Sequence, residues 1–160
     1  PHLEVEVGLR ALRDLTEIPT DPLDLADVVE AFTAVEVVAA RLAAFPLIGA
    51  AQLAADNVIG ARMVVGATLD LVAAGIRDLD SAPVELIIDG EVTAAATGAE
   101  ALGHPLVVLQ LVAAHAASIG QPIRSGEPVI TGTCTGLVPA RVGVNHVGRV
   151  GEAEVSVGFD

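Results

Sequence analysis

From its second residue the chain alternates in a way that suits an extended strand: Leu3, Val5, Val7 and Leu9 are apolar, and Glu4 and Glu6 stand between them. Successive side chains of a strand leave opposite faces of a sheet, so the two acids share one face, their Cα atoms about 7 Å apart, while the aliphatic residues fill the other. About thirty residues on, Ala34-Val35-Glu36-Val37-Val38 repeats the arrangement with a single acid. A carboxylate among β-branched neighbours is costly to bury unless its charge is compensated, and no basic residue stands beside either segment in the right phase. A divalent cation would compensate it. Three oxygen ligands with coordination positions left open suit Mg2+ or Mn2+, hard ions that fill their remaining positions with water or a substrate's oxygens. The competing reading is a solvent-facing polar edge on a half-exposed strand.

The core behind such strands has to be aliphatic. Trp and Tyr are absent and aromatic residues make up 2% of the chain, so Ala, Val, Leu and Ile must do the packing. At 160 residues and 52% hydrophobic content there is enough of them for one domain without staples. A formal charge of −13 and the scarcity of aromatic platforms argue against nucleic acid as a partner. Lys is missing altogether, all eight basic residues being Arg. The single cysteine, Cys134, excludes an internal disulfide and reads as a small packed residue in a protein of the reduced cytoplasm. Apolar stretches such as Pro105 to Ala114 are broken by Gln110 and His115 and fall short of the ~20 residues a membrane crossing needs. No membrane span or signal peptide is expected. A mean hydropathy of +0.64 points to apolar surface hidden between subunits, hence a homo-oligomer. The chain opens on Pro1 directly before a strand and reads as a fragment.

Punctuation residues divide the rest. Thr20-Asp21-Pro22 caps a short helix whose apolar stripe runs through Leu23, Leu25, Val28, Val29 and Phe32, leading into the Glu36 strand. Residues 50–55 are ambiguous, and Gly60 to Gly66 reads as strand. Two alternating runs between Val84 and Ala94 flank Asp89-Gly90, a dipeptide suited to positive φ in a two-residue turn, and predict a hairpin. Gly103-His104-Pro105 opens the longest helix, which ends at Gly120. Its face of Leu106, Leu109, Val112, Ala113 and Ala116 is backed by Val108 and Leu111, so burial on several sides is expected. Gly126 to Thr133 and Glu152 to Phe159 complete the strands. The pattern predicts an α+β domain whose mixed, largely antiparallel sheet curls into a barrel-like core.

Six segments in order carry a family resemblance: residues 1–7, Ala34-Val35-Glu36-Val37-Val38 with Arg41, Ala55-Asp56-Asn57, residues 98–106, residues 120–126, and Thr131-Gly132-Thr133. Together they resemble the 2-keto-4-pentenoate (2-hydroxypentadienoate) hydratases. The related 4-oxalocrotonate decarboxylases share most of them, and both groups belong to the fumarylacetoacetate hydrolase superfamily. The likeness runs over residues 1–160 as one catalytic-type domain and corresponds to the family's C-terminal part, the N-terminal segment being absent. It implies a β-roll that assembles as an oligomer and holds Mg2+ or Mn2+ through three acids, by motif position Glu4, Glu6 and Glu36. In the family the ion chelates a 2-oxo acid and stabilises the enolate formed as a proton moves along the conjugated chain. Water then adds or carbon dioxide leaves, which implies a lyase of aromatic catabolism, alone or beside a decarboxylase or hydratase partner subunit.

Departures from the family pattern bear on activity. The lysine that the family places in its N-terminal segment has no counterpart here, which leaves proton transfer and the catalytic residues unassigned. Ile59 replaces a polar residue, and Arg141-Val142-Gly143-Val144 replaces a Pro-Gly-Asp turn. Pro128 sits where a strand is expected; it cannot donate to a ladder, so that strand is an edge or begins there. For the substrate the candidates are Asp56, Asn57, His104, Thr131 and Thr133, each with a structural alternative: turn formation for the Asx pair, helix capping for His104, strand packing for the threonines. His115 reads as a hydrogen-bonded interior or interface residue. Two other functions compete with the lyase: hydrolysis of a C–C bond in an acylpyruvate, and a noncatalytic subunit or pseudoenzyme whose partner supplies the lysine.

Overall fold

The computed structural model describes residues 1–42 and 47–160. The alternating N-terminal run forms β1 (His2–Ala11) and the Glu36 run forms β2 (Val29–Val38), paired antiparallel so that Glu4 lies opposite Glu36 and Val5 opposite Val35. Strand β3 (Gly60–Thr68) pairs with the far side of β2. Further along come the hairpin strands β4 (Pro83–Ile88) and β5 (Glu91–Thr97). Strands β6 (Pro128–Ile130) and β7 (Val138–Pro139) pair with opposite ends of β1, giving the order β3-β2-β1-β6 with β7 beside it. Strands β8 (Asn145–Val150) and β9 (Ala153–Gly158) complete a second sheet in the order β5-β4-β8-β9. Every described ladder is antiparallel.

The two sheets share one aliphatic core. Leu3, Val5, Val7 and Leu9 are fully buried and pack with Val29, Ala31, Val35 and Val37 of β2 against Val84, Leu86, Ile88 and Val150 of the second sheet. Gly148 marks how close the sheets come: a Cβ there would lie 2.5 Å from Val35 Cγ2 and 3.3 Å from both Val5 methyls. The hairpin turn has Asp89 at φ 53 and Gly90 at φ 84, the left-handed pair that the Asp-Gly dipeptide favours. Among the helices, α1 (Ala50–Ala55) settles the ambiguous stretch, α2 (Ala73–Arg77) is short, and α3 (Pro105–Ser118) packs Leu106, Leu109 and Ala113 into the core.

The structure corrects three expectations. The helix after Asp21 is a single 3-10 stretch, Pro22–Val28, and Val29 and Phe32 lie in β2 because Val29 pairs with Ala11. Strand β8 follows the altered turn of residues 141–144, in a stretch where no strand is expected. Helix α3 is not buried on several sides, since Leu111 and Val112 are exposed, and His115 is exposed beside them. Pro128 meets both expectations for it, opening β6 at a sheet edge. The apolar span 98–118 is long enough by composition to cross a membrane, but Leu102 and Gly103 break it at positive φ. Its continuous helix, α3, has 14 residues, about 21 Å against a hydrocarbon core of about 30 Å.

Replacing Gly148 by Ala should therefore overpack the contact between the sheets, at a cost of about 1–3 kcal/mol. For a chain of this size that is a fall in Tm of about 3–10 °C, measurable by thermal denaturation; an unchanged Tm would contradict the packing described.

Candidate metal centre

Antiparallel register makes the cluster. Glu4 and Glu36 are cross-strand partners, and Glu6, two residues on and on the same face, lies opposite Ala34, whose small side chain leaves room beside it. One carboxylate oxygen from each of the three glutamates lies within 4.8 Å of the other two. Glu6 is 1% exposed, while Glu4 and Glu36 are half-buried. None of the described ion pairs includes any of the three. Arg10 is in phase on β1, contrary to the expectation that no basic residue would be, but it is paired with Glu30 and stacked over Phe32, 5.1 Å from the ring centroid.

Gathering three acids this way raises all their proton affinities. Burial pushes the Glu6 carboxyl up to about 8, against the Gly132 amide that favours its charged form, with Glu36 and Glu4 adding repulsion. Glu4 is raised by burial and then by the Glu36 charge, partly opposed by a hydrogen bond with Thr133. Glu36 is raised by burial while hydrogen bonds from Glu6 and Glu4 favour its charge. Metal-free, Glu6 keeps a proton at neutral pH that a divalent ion would displace.

The loop after β6 fastens the acidic face. Its Thr131 donates both N–H and hydroxyl to Val7 O, at 3.3 and 2.8 Å, and Cys134 N–H donates to Val5 O at 3.0 Å. Val5 N–H in turn donates to Thr135 Oγ1. The Gly132 N–H meets Glu6 Oε2 at 2.6 Å. Burial raises the Cys134 thiol to about 11, which leaves it an inert packed group.

Of the residues expected near a substrate, Asn57 alone lines the cavity beside Glu36, together with Gly60, Ala61, Met63, Pro128, Ile130 and one basic residue, Arg62, which is in none of the described ion pairs. That cavity is about 330 Å³. Its walls come from β3 and β6, opposite edges of one sheet, which shows how strongly the sheet curls. The other four are committed elsewhere, Thr133 Oγ1 accepting from Gly136 N–H at 2.9 Å. Asp56 accepts from Arg41 through both oxygens, N–H to Oδ2 at 3.0 Å and Nε to Oδ1 at 2.5 Å, which holds its carboxyl below the usual range. His104 caps α3, its Nδ1 accepting from Leu106 N–H and its Nε2 lying 3.0 Å from Arg77 O. The Thr131 hydroxyl, nearly fully buried, is taken up by Val7. Sequence reading passed over Met63, Ile130 and Gly60; the glycine's only signal was its place at the head of a strand. A larger cavity of about 570 Å³ lies between the end of β3, α2 and the β8–β9 turn, with mostly aliphatic walls and no clustered chemistry.

Comparison with known proteins shows the family and the fold. A family model described as fumarylacetoacetate (FAA) hydrolase C-terminal matches residues 1–157. The 2-keto-4-pentenoate hydratase of Burkholderia vietnamiensis is 31% identical over 153 residues, covering 94% of this chain and 56% of that protein. The 4-oxalocrotonate decarboxylase of a Pseudomonas species, strain CF600, is 32% identical over 111 residues, 68% of this chain and 40% of that one. Among solved structures, 4-oxalocrotonate decarboxylase from Pseudomonas putida G7, complexed with magnesium and adipate, matches with a TM-score of 0.85 at 27% identity. That match covers 99% of this chain and 60% of the other, so the chain spans little more than half the length of these relatives. With the family model extending over all but its last three residues, the chain belongs to the fumarylacetoacetate hydrolase C-terminal family.

Proposed function

We propose that this chain binds Mg2+ or Mn2+ through Glu4, Glu6 and Glu36 and acts as a lyase, a hydratase or decarboxylase, on a small unsaturated 2-oxo acid. The observation that carries the reading is a buried Glu6 in contact with two further carboxylates and no cation among the described residues. An all-carboxylate donor set fits hard ions better than Zn2+ or Cu2+, which favour nitrogen and sulfur. When bound, such an ion supplies charge compensation for the glutamates and Lewis-acid polarisation of the substrate's keto oxygen.

The chain's own residues shape the rest. Gly132 holds Glu6 in place through its amide, and the Thr133 side chain favours the charged form of Glu4. The cavity beside Glu36 is at the small end for ligand sites and suits a small acid. Met63, Pro128 and Ile130 give an unsaturated tail apolar walls, while Asn57 offers an amide at the rim. The names of the relatives, a hydratase and a decarboxylase, and the magnesium and adipate held by one of them, support this assignment. Exposed Leu111, Val112 and Ile119, on α3 and at its end, support a homo-oligomer, which we place in the cytoplasm. A noncatalytic subunit, which would bind the metal without turning substrate over, is the second reading.

Turnover of 2-hydroxypentadienoate with Mg2+ tests the reading. Hydration should give one product acid where acylpyruvate hydrolysis would give two. In Glu6→Ala activity should fall more than about a hundredfold, beyond the 10–100-fold typical of losing a ligand's supporting partner. Saturable Mn2+ binding without turnover would favour the noncatalytic reading, and absence of metal binding at any pH above about 6, including pH above the raised Glu6 value, would remove the basis of the lyase reading.

The pH dependence of stability has a definite sign. A carboxyl whose folded-state pKa is raised from 4.5 to about 8 stabilises the fold fully below 4.5 and loses that contribution as pH rises toward 8. In EDTA, stability should therefore decline across this range, each tenfold difference in proton affinity being worth about 1.4 kcal/mol. Glu6→Gln is neutral throughout and keeps an acceptor for Gly132, so it should match wild type near pH 5 and melt roughly 5–15 °C higher at pH 8. Added Mn2+ at pH 8 should raise the wild-type Tm and leave Glu6→Gln nearly unmoved. Parallel melting curves for the two proteins across pH would contradict this account.

A further inference from the structure

We propose that Gly60 and Gly132 are positioning residues for the glutamate cluster, one by leaving space for Glu36 and the other by aiming a backbone amide at Glu6. The inference rests on the metal-binding reading of that cluster and adds two residues whose substitution should alter metal affinity without removing a ligand.

Nothing in the backbone at Gly60 requires glycine, since φ is −63 and ψ is 124. Space does. A Cβ at this position would stand 2.6 Å from Glu36 Oε1, closer than real side chains allow, with Asn57 O at 3.2 Å and Asn57 Nδ2 at 3.3 Å. The carboxylate therefore occupies the volume that a side chain here would fill. Gly60 cannot easily retreat, because its carbonyl accepts from Arg41 Nη1 and Nη2 at 3.3 Å and from Asn57 Nδ2 at 3.2 Å. Arg41 is itself anchored on Asp56. Asp56 and Arg41 thus act on Glu36 through the wall they hold in place.

Gly132 is a glycine for the opposite reason. Its φ is +99 and a Cβ would meet nothing within 4 Å, so conformation, not space, demands it. That conformation directs the N–H to Glu6 Oε2 at 2.6 Å. Bonds from Thr131 to Val7 and from Cys134 to Val5 fix the loop to β1 on either side, so the amide keeps its place relative to Glu6. One glycine limits where a carboxylate can go; the other holds a second carboxylate by hydrogen bonding.

The test measures the Mn2+ dissociation constant by calorimetry at pH 8 and the Tm in EDTA for wild type, Gly60→Ala, Gly132→Ala and Gly120→Ala. Gly120, at φ +76 after α3, reproduces the backbone strain of Gly132 with nothing near its Cβ. Gly60→Ala meets only the free end of a flexible acid and should melt within about 3 °C of wild type while binding Mn2+ about 10–100-fold more weakly, the range for a lost ligand support. Gly132→Ala should weaken binding similarly with some loss of Tm, and Gly120→Ala should lose Tm alone. Wild type without saturable Mn2+ binding overturns the metal reading and this inference together. Wild-type binding with Gly60→Ala within about twofold of it overturns the inference while the metal reading stands. An equal loss of affinity in Gly120→Ala and Gly132→Ala would assign the effect to strain and overturn the role given to Gly132. Gly60→Ala, which needs no special backbone, decides the matter by itself even if Gly132→Ala does not fold.

Discussion

The pairing of Glu4 with Glu36 across the β1–β2 ladder sets the problem that the surrounding structure answers. An antiparallel register with period two must put these acids side by side, and Glu6 joins them on the same face. A slip of β1 by one residue would send Glu4 and Glu6 into the aliphatic core, away from Glu36, and bring Leu3, Val5 and Val7 out to water. The core and the acidic cluster are therefore fixed by one register: the 0% exposure of Val5 and the convergence of the glutamates are two faces of the same ladder.

That register carries a cost, which falls mainly on Glu6. Burial raises its pKa to about 8, so at neutral pH the metal-free fold keeps a proton there or holds an unfavourable charge. The neighbouring structure reduces the cost without removing it. Gly132 donates one amide to Glu6 and the Thr133 side chain favours the charged form of Glu4, and neither brings a formal charge. A site answered with dipoles alone retains its attraction for a cation, whereas a lysine or arginine in contact would cancel it.

The acidic trio was legible because alternation is a local property: four apolar residues and two acids in phase specify a face whatever the strand pairs with. The Asp89-Gly90 hairpin and the His104-Pro105 start of α3 were legible for the same reason, each being set by the φ values or capping atoms of adjacent residues. Val29 and Phe32 were misplaced in a helix because the spacing of Leu25, Val28, Val29 and Phe32 satisfies a helical stripe, and only the distant partner Ala11 draws Val29 into β2. Strand β8 was hidden by Asn145 and by Gly148, a glycine that the facing Val35 demands from another sheet. Asp56 shows a related limit. Its residue type advertises hydrogen bonding, but the partner that takes it up, Arg41, is chosen by the fold.

The arrangement of the arginines completes the electrostatic argument. Acids outnumber bases 21 to 8 in this chain, so cations are scarce and their placement matters. Arg10 pairs with Glu30, Arg41 with Asp56, Arg77 with Asp27, Arg124 with Asp14, and Arg149 with Glu85 and Glu154. Five of the eight are thus placed on acids outside the cluster. Exposed pairs of this kind contribute little to stability, about 0–1 kcal/mol each, so their placement is better understood by where it leaves charge than by what it stabilises. Arg10 makes the point most directly. It lies four residues beyond Glu6 on the same face, about 13 Å along the strand, and its guanidinium is turned to Glu30 and the Phe32 ring. Gly8 permits that arrangement, since any Cβ there would run into the Phe32 ring at 2.2 Å. A cation that alternation puts on the acidic face is held at its far end by a glycine, an aromatic ring and a local acid, and none of the described ion pairs reaches the three glutamates.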